Sequence, residues 1–317
     1  MKNIYPNIFS FNNKILYKCI SFLKKGSVVG LPTETVYGLA GNAYKNKSVK
    51  NIYKLKKRPK KNPLIIHYYD FAKASNDVIL NNDFFKLYKR LCPGPLTFVV
   101  KKRKNSKISS IASSNLETIA IRFPKHQIIR KVLKKIDFPL AMPSANISTG
   151  VSPVCAENVY DEFKNKIKFI IDGGKSKIGI ESTVIDLTNK PKILRPGVID
   201  GNLLKKFLKK DFVYNSKKSK LKSPGMMKKH YSPGIPIFIN QKKPPKNHAF
   251  ITFGKKYRKN RNYFNLSKNG DLKEAAANLY QTFRKIKKLK FKKIFVIKIP
   301  NKGVGIAIND RITRASK

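Results

Sequence analysis

The sequence of 317 residues has no tryptophan, few acidic residues and only three cysteines. The cysteines, Cys19, Cys92 and Cys155, are widely spaced and include no C-x-x-C pair, so they indicate neither a disulfide framework nor a zinc site. Such sparse cysteine usage is typical of proteins in a reducing compartment.

Long apolar runs are also absent. No stretch approaches the roughly 18 apolar residues that a membrane-spanning helix needs. Residues 1–11 include asparagine and proline where a signal peptide would have a continuous apolar segment. From these two absences we expect a soluble, cytoplasmic protein.

Acidic residues number 17 against 69 lysines and arginines, which gives a formal net charge of +52. Such an excess favours contact with polyanions such as RNA, acidic membranes or nucleotides. The excess is spread along the whole chain, however, and asparagine and isoleucine are frequent as well. This pattern favours a coding bias over a dedicated nucleic-acid surface.

Short apolar strands alternate with helical patterns from about residue 14 to residue 205. This alternation predicts an α/β domain with a twisted, mixed sheet. Ser48, Asp83 and Ser152-Pro153 are expected to start helices. The predicted strands are residues 27–31, 64–67, 96–100, 118–122, 139–142, 168–172, 182–187 and 192–194.

Composition changes near residue 205, where a basic segment rich in Pro and Gly turn signals begins. Beyond it, the pattern predicts strands at 235–239, 249–253 and 293–299 and helices at 271–289 and 303–317. We therefore expect a catalytic domain at 1–205, a linker at 206–236 and a small α/β domain at 237–317.

Residues 56–67 (KKRPKKNPLIIH) form a cationic turn between a predicted helix and a predicted strand. Two prolines stiffen this turn, and turns held by rigid elements often carry ligand-binding side chains. The sequence contains no P-loop, because Phe169 stands where the first glycine before Gly174-Lys175-Ser176 would be needed. A bound nucleotide would therefore be held by side chains, with Lys56 and Arg58 as phosphate candidates.

Polar residues also follow two other predicted strands. Ser144-Ala145-Asn146 comes directly after the strand at 139–142, and residues 31–39 (LPTETVYGL) follow the strand at 27–31. Ligands of open α/β sheets bind just past the carboxyl ends of strands. These loops are therefore candidates for the same site as the cationic turn.

Several motifs stand along the chain in a fixed order. They are residues 31–39, Lys56-x-Arg58 with Asn62 and His67, Pro93-Gly94-Pro95, Arg122-Phe123-Pro124, Pro143-Ser144-Ala145-Asn146, Glu181-Ser182-Thr183-Val184, Arg195-Pro196-Gly197, Ser223-Pro224-Gly225-Met226 and His230-Tyr231-Ser232-Pro233. Together these motifs resemble the YrdC-type threonylcarbamoyl-AMP synthases, over essentially the whole chain and most strongly over residues 14–236. The last two motifs resemble the longer, two-domain Sua5 form of that family.

The resemblance implies a YrdC-like twisted mixed sheet with helices, followed by a smaller Rossmann-like α/β domain. It also implies a nucleotidyltransferase that condenses L-threonine, bicarbonate and ATP into L-threonylcarbamoyladenylate and releases pyrophosphate. A separate tRNA threonylcarbamoyltransferase machinery would then modify adenosine 37 of tRNAs that read ANN codons. Weak binding of tRNA or other RNA is a further expected partner interaction.

The site residues implied by the resemblance fall into three groups. The catalytic group is Lys56, Arg58, Ser144 and Asn146. The ATP contacts are Arg58, Asn62, Thr118, Ser144, Ser152, Arg195 and Tyr231. The threonine contacts are Thr35, His67, Arg122, Met142 and Ser182. Mg²⁺ is expected on the ATP phosphates, held mainly by the nucleotide and water because acidic side chains are few.

Local rules give several of these residues a structural alternative. His67 fits a half-buried histidine, Arg122 a structural ion-pair partner, Ser152 a helix cap and Ser182 an ordinary strand residue. Met142 departs from the small residue usual at its position, which leaves its backbone carbonyl as the expected contact.

Two other functions compete with the main one. A double-stranded RNA or tRNA-binding module using the basic sheet surface would bind RNA with a steep salt dependence. A carbamoyl-transfer domain of the hydrogenase-maturation type shares the fold, but it would bring zinc-finger cysteines and an acylphosphatase-like domain, neither of which this sequence contains. We also hypothesise that residues 212–234 return over the active site as a gate and bring Tyr231 to the nucleotide.

Overall fold

The structure is a computed structural model that describes residues 5–209, 213–214, 230–243, 246–257 and 260–317. Its strands are β1 (Ile8–Ser10), β2 (Val29–Leu31), β3 (Gly38–Asn42), β4 (Ile65–His67), β5 (Val78–Ile79), β6 (Leu96–Lys102), β7 (Thr118–Arg122), β8 (Leu140–Ala141), β9 (Ile170–Asp172), β10 (Thr183–Asp186), β11 (Lys192–Arg195), β12 (Val213–Tyr214), β13 (Ile237–Phe238), β14 (Ala249–Thr252), β15 (Tyr263–Asn265) and β16 (Ile294–Val296). Its helices are α1 (Asn13–Lys24), α2 (Asn46–Lys56), α3 (Phe71–Ala74), α4 (Asn82–Leu91), α5 (Gln127–Lys135), α6 (Ala156–Phe163), α7 (Gly201–Leu208), α8 (Leu272–Lys288) and α9 (Val304–Ala315).

The first unit is built on one large mixed sheet with the order β1-β9-β2-β3-β8-β4-β7-β6-β10-β11-β12, and β5 pairs with β6. Strand β4 runs parallel to β7, and β6 runs parallel to β10, whereas β6 and β7 are antiparallel. The α/β architecture and the mixed sheet predicted from the alternation of strands and helices are confirmed.

One row of residues crosses five neighbouring strands of this sheet. His67 on β4 is in register with Arg122 on β7, which is in register with Thr97 on β6. The row continues through Val184 on β10 to Arg195 on β11. Because residues in register point to the same face of a sheet, His67 and the two arginines share one face.

The opposite face of these strands carries the large hydrophobic core. Residues one position out of phase with the polar row, including Ile66, Phe98, Ile121 and Ile185, are all buried there. Helices α2 and α4 cover this face with their apolar sides. The strand period of two therefore separates a packed core from a polar face.

The second unit has a four-stranded parallel sheet in the order β13-β16-β14-β15, packed with α8 and α9. Helix α8 is capped by Asp271, whose side chain accepts hydrogen bonds from the backbone N–H groups of Lys273 and Glu274. The core of this unit also takes in Val36, Val151 and Ile180 from the first unit. The two units therefore share a hydrophobic layer.

The contact between the units includes a close approach of two backbones. Gly179 has a φ of +76°, and a Cβ atom there would lie 2.5 Å from the Cα of Ala277 on α8. Glycine suits this position because it adopts positive φ freely and has no side chain to obstruct the helix.

Three predicted helix starts are wrong. Helix α2 begins at Asn46, so Ser48 lies inside it, and α4 is capped by Asn81, whose side chain accepts from Phe84 N, instead of Asp83. Helix α6 begins at Ala156, and Ser152 does not cap it but donates its hydroxyl to the buried Glu181. Within the described ranges, no helix is long and apolar enough to cross a membrane.

Several elements were missed by the sequence patterns, among them β3 and α5. Strand β3, with the sequence GLAGN, contains two glycines and an asparagine and so lacks β propensity. It forms because its first half pairs with β2 and its second half with β8. Helix α5 (Gln127–Lys135) is another of the missed elements. The predicted turn Ser223-Pro224-Gly225-Met226 lies outside the described residues.

Candidate functional site

A cavity of about 510 Å³, including the part that is open to solvent, lies over the polar row of the large sheet. The loops after β2 and β8, the carboxyl ends of β4, β7 and β11, and the segment just before β10 meet there. Its lining residues are Thr33, Val36, Tyr37, Gly38, Arg58, Ile65, His67, Arg122, Met142, Pro143, Ser144, Glu181, Ser182, Arg195, His230 and Tyr231.

Most of the predicted site residues meet at this cavity. Those in its lining are Arg58, His67, Arg122, Met142, Ser144, Ser182, Arg195 and Tyr231. Lys56, Asn62, Asn146, Ser152 and Thr35 are buried around it and do not line it. Thr118 begins β7, about 13 Å along that strand from Arg122, and is not brought to the cavity.

Lys56 ends α2 with its ammonium group fully buried. Its Nζ donates to the backbone oxygens of Ser144 at 2.5 Å and Asn146 at 2.6 Å. Burial, and then the nearby Arg58 charge, lower the pKa of Lys56 well below its usual value. Lys56 therefore fixes the loop after β8 and keeps Ser144 at the edge of the cavity.

Arg58 is anchored by the turn that it starts. Its Nε donates to the backbone oxygen of Asn62 at 2.9 Å and its NH2 group to that of Pro63 at 2.8 Å. Burial lowers the pKa of Arg58 to about 10, so it remains charged at neutral pH. The two prolines and these two hydrogen bonds hold the guanidinium group at the cavity wall.

Arg122 has both a structural partner and a free donor. Its NH2 group contacts Glu34 Oε1 at 2.7 Å, and Glu34 also accepts from Lys125 N. Burial, the largest single effect, would raise the pKa of Glu34, but the Arg122 charge and the hydrogen bonds to the carboxylate together make the net shift downward. Arg122 Nε has no hydrogen-bond partner among the described residues. Arg122 can therefore form the structural ion pair with Glu34 and still donate from Nε to a ligand in the cavity.

His67 lies beside Arg122 in the sheet and is 1% exposed. Neither ring nitrogen has a partner of hydrogen-bonding geometry among the described residues. Burial, followed by the Arg122 charge, lowers the pKa of His67 well below its usual value. The cavity therefore contains a neutral imidazole with unused hydrogen-bonding capacity.

Ser182 is held between two neighbouring strands. Arg195 donates to it twice, from Nε to the backbone oxygen at 3.0 Å and from NH2 to Oγ at 3.1 Å. The Oγ atom also lies 2.8 Å from Thr97 Oγ1. These contacts fix both Ser182 and Arg195 in the cavity wall.

Glu181 is a lining residue that belongs to one of the matching motifs but was given no role in the sequence analysis. Its carboxylate accepts hydrogen bonds from Ser152 Oγ, from the hydroxyl of Tyr280 and from Nε of Arg311. Burial would raise the pKa of Glu181, but the charges of Arg311 and Arg195 lower it to about 2. Tyr280 and Arg311 belong to α8 and α9, where no local signal distinguishes them from ordinary amphipathic positions.

Tyr231 reaches the cavity from the predicted linker and is fully buried. The next residue, Ser232, donates from its backbone N–H to the oxygen of Thr149 at 2.8 Å, which ties this segment to the first unit. The ring of His230 packs against Tyr231 with centroids 4.1 Å apart. Most of the hypothesised gate, residues 212–234, lies outside the described residues.

The electrostatics of the cavity favour an anionic ligand. Arg58, Arg122 and Arg195 line it, and its one acidic residue, Glu181, is already paired with Arg311. No group of three or more metal-ligating His, Cys, Asp or Glu side chains occurs in the described part of the chain. The arrangement can bind carboxylate and phosphate groups through arginine and hydroxyl donors.

Comparisons with known proteins agree along the whole chain. The family model Sua5_yciO_yrdC, described as telomere recombination, matches residues 21–197. The model Sua5_C, described as the C-terminal domain of threonylcarbamoyl-AMP synthase, matches residues 196–317.

Individual relatives agree with the two family models. The chain is 34% identical to threonylcarbamoyl-AMP synthase from Pyrococcus abyssi, with 93% of this chain and 92% of the relative covered. It is 32% identical to the Bacillus subtilis protein of that name, with 97% and 94% covered. A crystal structure of P. abyssi Sua5 complexed with L-threonine superposes with a TM-score of 0.89 at 31% identity, covering 98% of this chain and 96% of that one.

Proposed function

Since this chain belongs to the threonylcarbamoyl-AMP synthase family in its two-domain Sua5 form, we propose that it is an L-threonylcarbamoyladenylate synthase. It is a nucleotidyltransferase in this proposal, joining L-threonine, bicarbonate and ATP and releasing pyrophosphate. The observation that carries the proposal is the cavity itself. It gathers three arginines, a neutral histidine and two serines that suit an amino acid and a nucleotide side by side.

Threonine is assigned to the side of the cavity formed by β4 and β7. The free Nε of Arg122 is suited to the threonine carboxylate, while Glu34 holds the other end of the guanidinium group. His67 is neutral and can accept a hydrogen bond from the amino group or hydroxyl. The remaining proposed threonine contacts are Met142, Ser182 and Thr35. The hydroxyl of Thr35 lies 2.8 Å from that of Thr33, which lines the cavity.

The nucleotide is assigned to the other side. Arg58 and Arg195 would bind phosphate oxygens, and Ser144 and Tyr231 would contact the nucleotide directly. Asn62, Ser152 and Thr118 remain proposed ATP contacts; Asn62 supports Arg58, and Ser152 is bound to Glu181. Lys56 and Asn146 would assist catalysis by holding the loop that carries Ser144.

The reaction follows in two steps. The threonine amine attacks the bicarbonate carbon, and loss of water then gives the threonine carbamate. A carbamate oxygen then attacks the α-phosphorus of ATP as the bond to pyrophosphate breaks. Negative charge grows on the leaving pyrophosphate, where fixed arginines stabilise it, and holding the reactants in line supplies much of the remaining acceleration.

Mg²⁺ is proposed to enter with ATP, bound to phosphate oxygens and water. Two acidic side chains at the cavity are already engaged: Glu181 of the lining pairs with Arg311, and Glu34 pairs with the lining residue Arg122. The chain's own residues therefore bind the nucleotide and threonine, and Mg²⁺ would neutralise phosphate charge.

The product would be used by a tRNA threonylcarbamoyltransferase to modify adenosine 37 of tRNAs that read ANN codons. We assign synthesis to residues 1–205, with residues 206–236 as a connecting segment and residues 237–317 as the small second domain. Tyr231 belongs to the connecting segment and lines the cavity, which supports a contribution of that segment to the site.

Mass spectrometry of the product tests the proposal. The chain is incubated with ATP, L-threonine and ¹³C-labelled bicarbonate, and threonylcarbamoyl-AMP with one added mass unit is expected only when all three are present. Pyrophosphate release that does not depend on threonine would contradict the proposal.

A further inference from the structure

Two side chains of the second unit contact the wall of the cavity from behind. Arg311 on α9 is fully buried, and its Nε donates to Glu181 at 2.9 Å while its NH1 group contacts Asp310 at 2.7 Å. Tyr280 on α8 donates its hydroxyl to the same carboxylate at 2.9 Å. Glu181 therefore depends on the second unit for two of its hydrogen bonds.

The same two side chains hold Tyr231. The guanidinium group of Arg311 lies over the Tyr231 ring, 4.9 Å from its centroid, and the ring of Tyr280 stacks on it at 5.9 Å. A cation over an aromatic face in a buried site is a stabilising arrangement. Glu181 and Tyr231 both line the cavity, so Arg311 and Tyr280 support two lining residues at once.

We propose that Arg311 and Tyr280 are positioning residues for the synthase reaction, so that the second unit completes the ATP side of the active site. This inference rests on the proposed function. Neither residue lines the cavity; both act through Glu181 and Tyr231, and Glu181 in turn holds Ser152.

Removal of Arg311 is expected to change the role of Arg195. The carboxylate of Glu181 is stabilised by two cations, Arg311 and Arg195. Without Arg311, the buried carboxylate relies on Arg195, which also donates to Ser182 and lines the cavity. Arg195 would then neutralise Glu181 instead of a phosphate group, because a buried charge must be paired.

The test compares Arg311→Gln with Arg311→Lys and Tyr280→Phe in the full chain, measuring kcat and KM for ATP and for threonine. Arg311→Gln is expected to lower kcat/KM for ATP by about tenfold to hundredfold, since a displacement of about 1 Å caused by a mutation away from the chemistry can cost about 10²-fold. The KM for threonine should change much less. Arg311→Lys, which keeps the charge, should recover part of the loss, and Tyr280→Phe, which keeps the ring, should show a smaller effect.

Arg284→Gln is the matched control. Arg284 on α8 also joins the two units, through Glu162 at 3.0 Å and the backbone oxygen of Val151, but does not contact Glu181 or Tyr231. The Arg284→Gln substitution should lower the melting temperature of the chain without changing its KM for ATP. An equal loss of ATP kinetics in Arg284→Gln and Arg311→Gln would mean that docking of the units in general is responsible, and would overturn the positioning role.

The pH profile gives a second readout. Ser152, Tyr280 and Arg311 hydrogen-bond to Glu181. The other groups that interact with its charge are Arg195, Tyr231, His230 and Lys56. With Arg311 removed, burial raises the pKa of Glu181, so the acidic limb of kcat/KM should move to higher pH in Arg311→Gln and not in Arg284→Gln.

The possible failures are distinguishable. Wild-type chain that forms no threonylcarbamoyl-AMP would overturn the proposed function and this inference with it. Active wild-type chain with unchanged ATP kinetics and an unchanged pH profile in Arg311→Gln would overturn the inference alone. Should Arg311→Gln fail to fold, as shown by circular dichroism, Tyr280→Phe and Arg311→Lys decide the question by the same measurements.

Discussion

At the scale of single residues, the charged side chains of the cavity divide their hydrogen bonds between the protein and a ligand. Arg58 uses two N–H groups on its own turn, and Arg122 uses one end of its guanidinium group on Glu34. A side chain that is already held in one rotamer loses little entropy when a ligand binds. These buried arginines are therefore prepared for anionic groups before any ligand arrives.

Arg58→Ala is expected to lower threonine-dependent pyrophosphate release about hundredfold or more, because a fixed charge near the leaving phosphates is lost. Arg58→Lys should restore little activity, since lysine lacks the two forked donors that hold Asn62 and Pro63. Lys60→Ala, an exposed change in the same turn, is the control and should be neutral. Similar losses in Lys60→Ala and Arg58→Ala would argue for a general charge effect.

His230 should make stability depend on pH. Burial lowers the pKa of His230 to about 3, whereas the unfolded chain takes up this proton near pH 6.5. The unfolded state therefore binds more protons between these values, and the free energy of unfolding falls as pH drops below 6.5, by up to about 1.4 kcal/mol per pH unit for one histidine. His67 adds a change of the same sign.

Urea unfolding at about pH 7 and about pH 5 measures this effect, in a range where the histidines titrate and most carboxylates do not. His230→Phe keeps an aromatic ring against Tyr231 and should reduce the loss of stability between the two pH values. Identical losses in the wild-type chain and in His230→Phe would show that His230 does not titrate differently in the folded state.

At the scale of elements, the register of the strands places the site. The polar row from His67 to Arg195 lies on one face only because β4, β7, β6, β10 and β11 pair in one particular register. A slip of one residue in β7 would send Arg122 into the hydrophobic core and expose Ile121 to the cavity. The packed core on the opposite face therefore determines the register of the site.

Close packing between β3 and the loop after β8 gives an element-scale prediction. A Cβ atom on Gly38 would lie 2.4 Å from Cγ of Met142, and both residues line the cavity. Gly38→Ala should destabilise the chain by about 1–3 kcal/mol through overpacking and raise the KM for threonine. Adding Met142→Ala should reverse part of the destabilisation, as measured by a double-mutant cycle in urea. Additive effects would show that the two side chains do not compete for this space.

At the scale of the whole molecule, the net charge of +52 is spread along the chain and is not specific to the site. The cavity arginines are buried and anchored, whereas most lysines are exposed along the surface. Exposed lysines attract RNA through counterion release and carry no sequence information.

RNA binding should therefore be weak, steeply salt-dependent and unselective. In filter binding or fluorescence anisotropy, tRNA and an unrelated double-stranded RNA should bind alike, with log K falling linearly as log salt rises. Arg122→Ala and Ser144→Ala should leave this binding unchanged. Selective tRNA binding that persists at high salt would instead favour a dedicated RNA-binding surface.

Much of the fold could be predicted from the sequence. The strand at 118–122 is confirmed with its bounds, and α8 and α9 are confirmed to within a few residues, because long periodic segments carry a strong local signal. Helix starts were less predictable: the polar residues near α2, α4 and α6 include several possible caps, and tertiary contacts select among them.

The sequence by itself determined the α/β class, the division into two units and the segments from which the cavity residues come. Only the tertiary structure decided which of those residues meet: Arg122 pairs with Glu34, 88 positions away, and Arg311 reaches Glu181, 130 positions away. The physical reason is that local patterns reflect burial and backbone preference, whereas such contacts depend on strand register and on how the units pack.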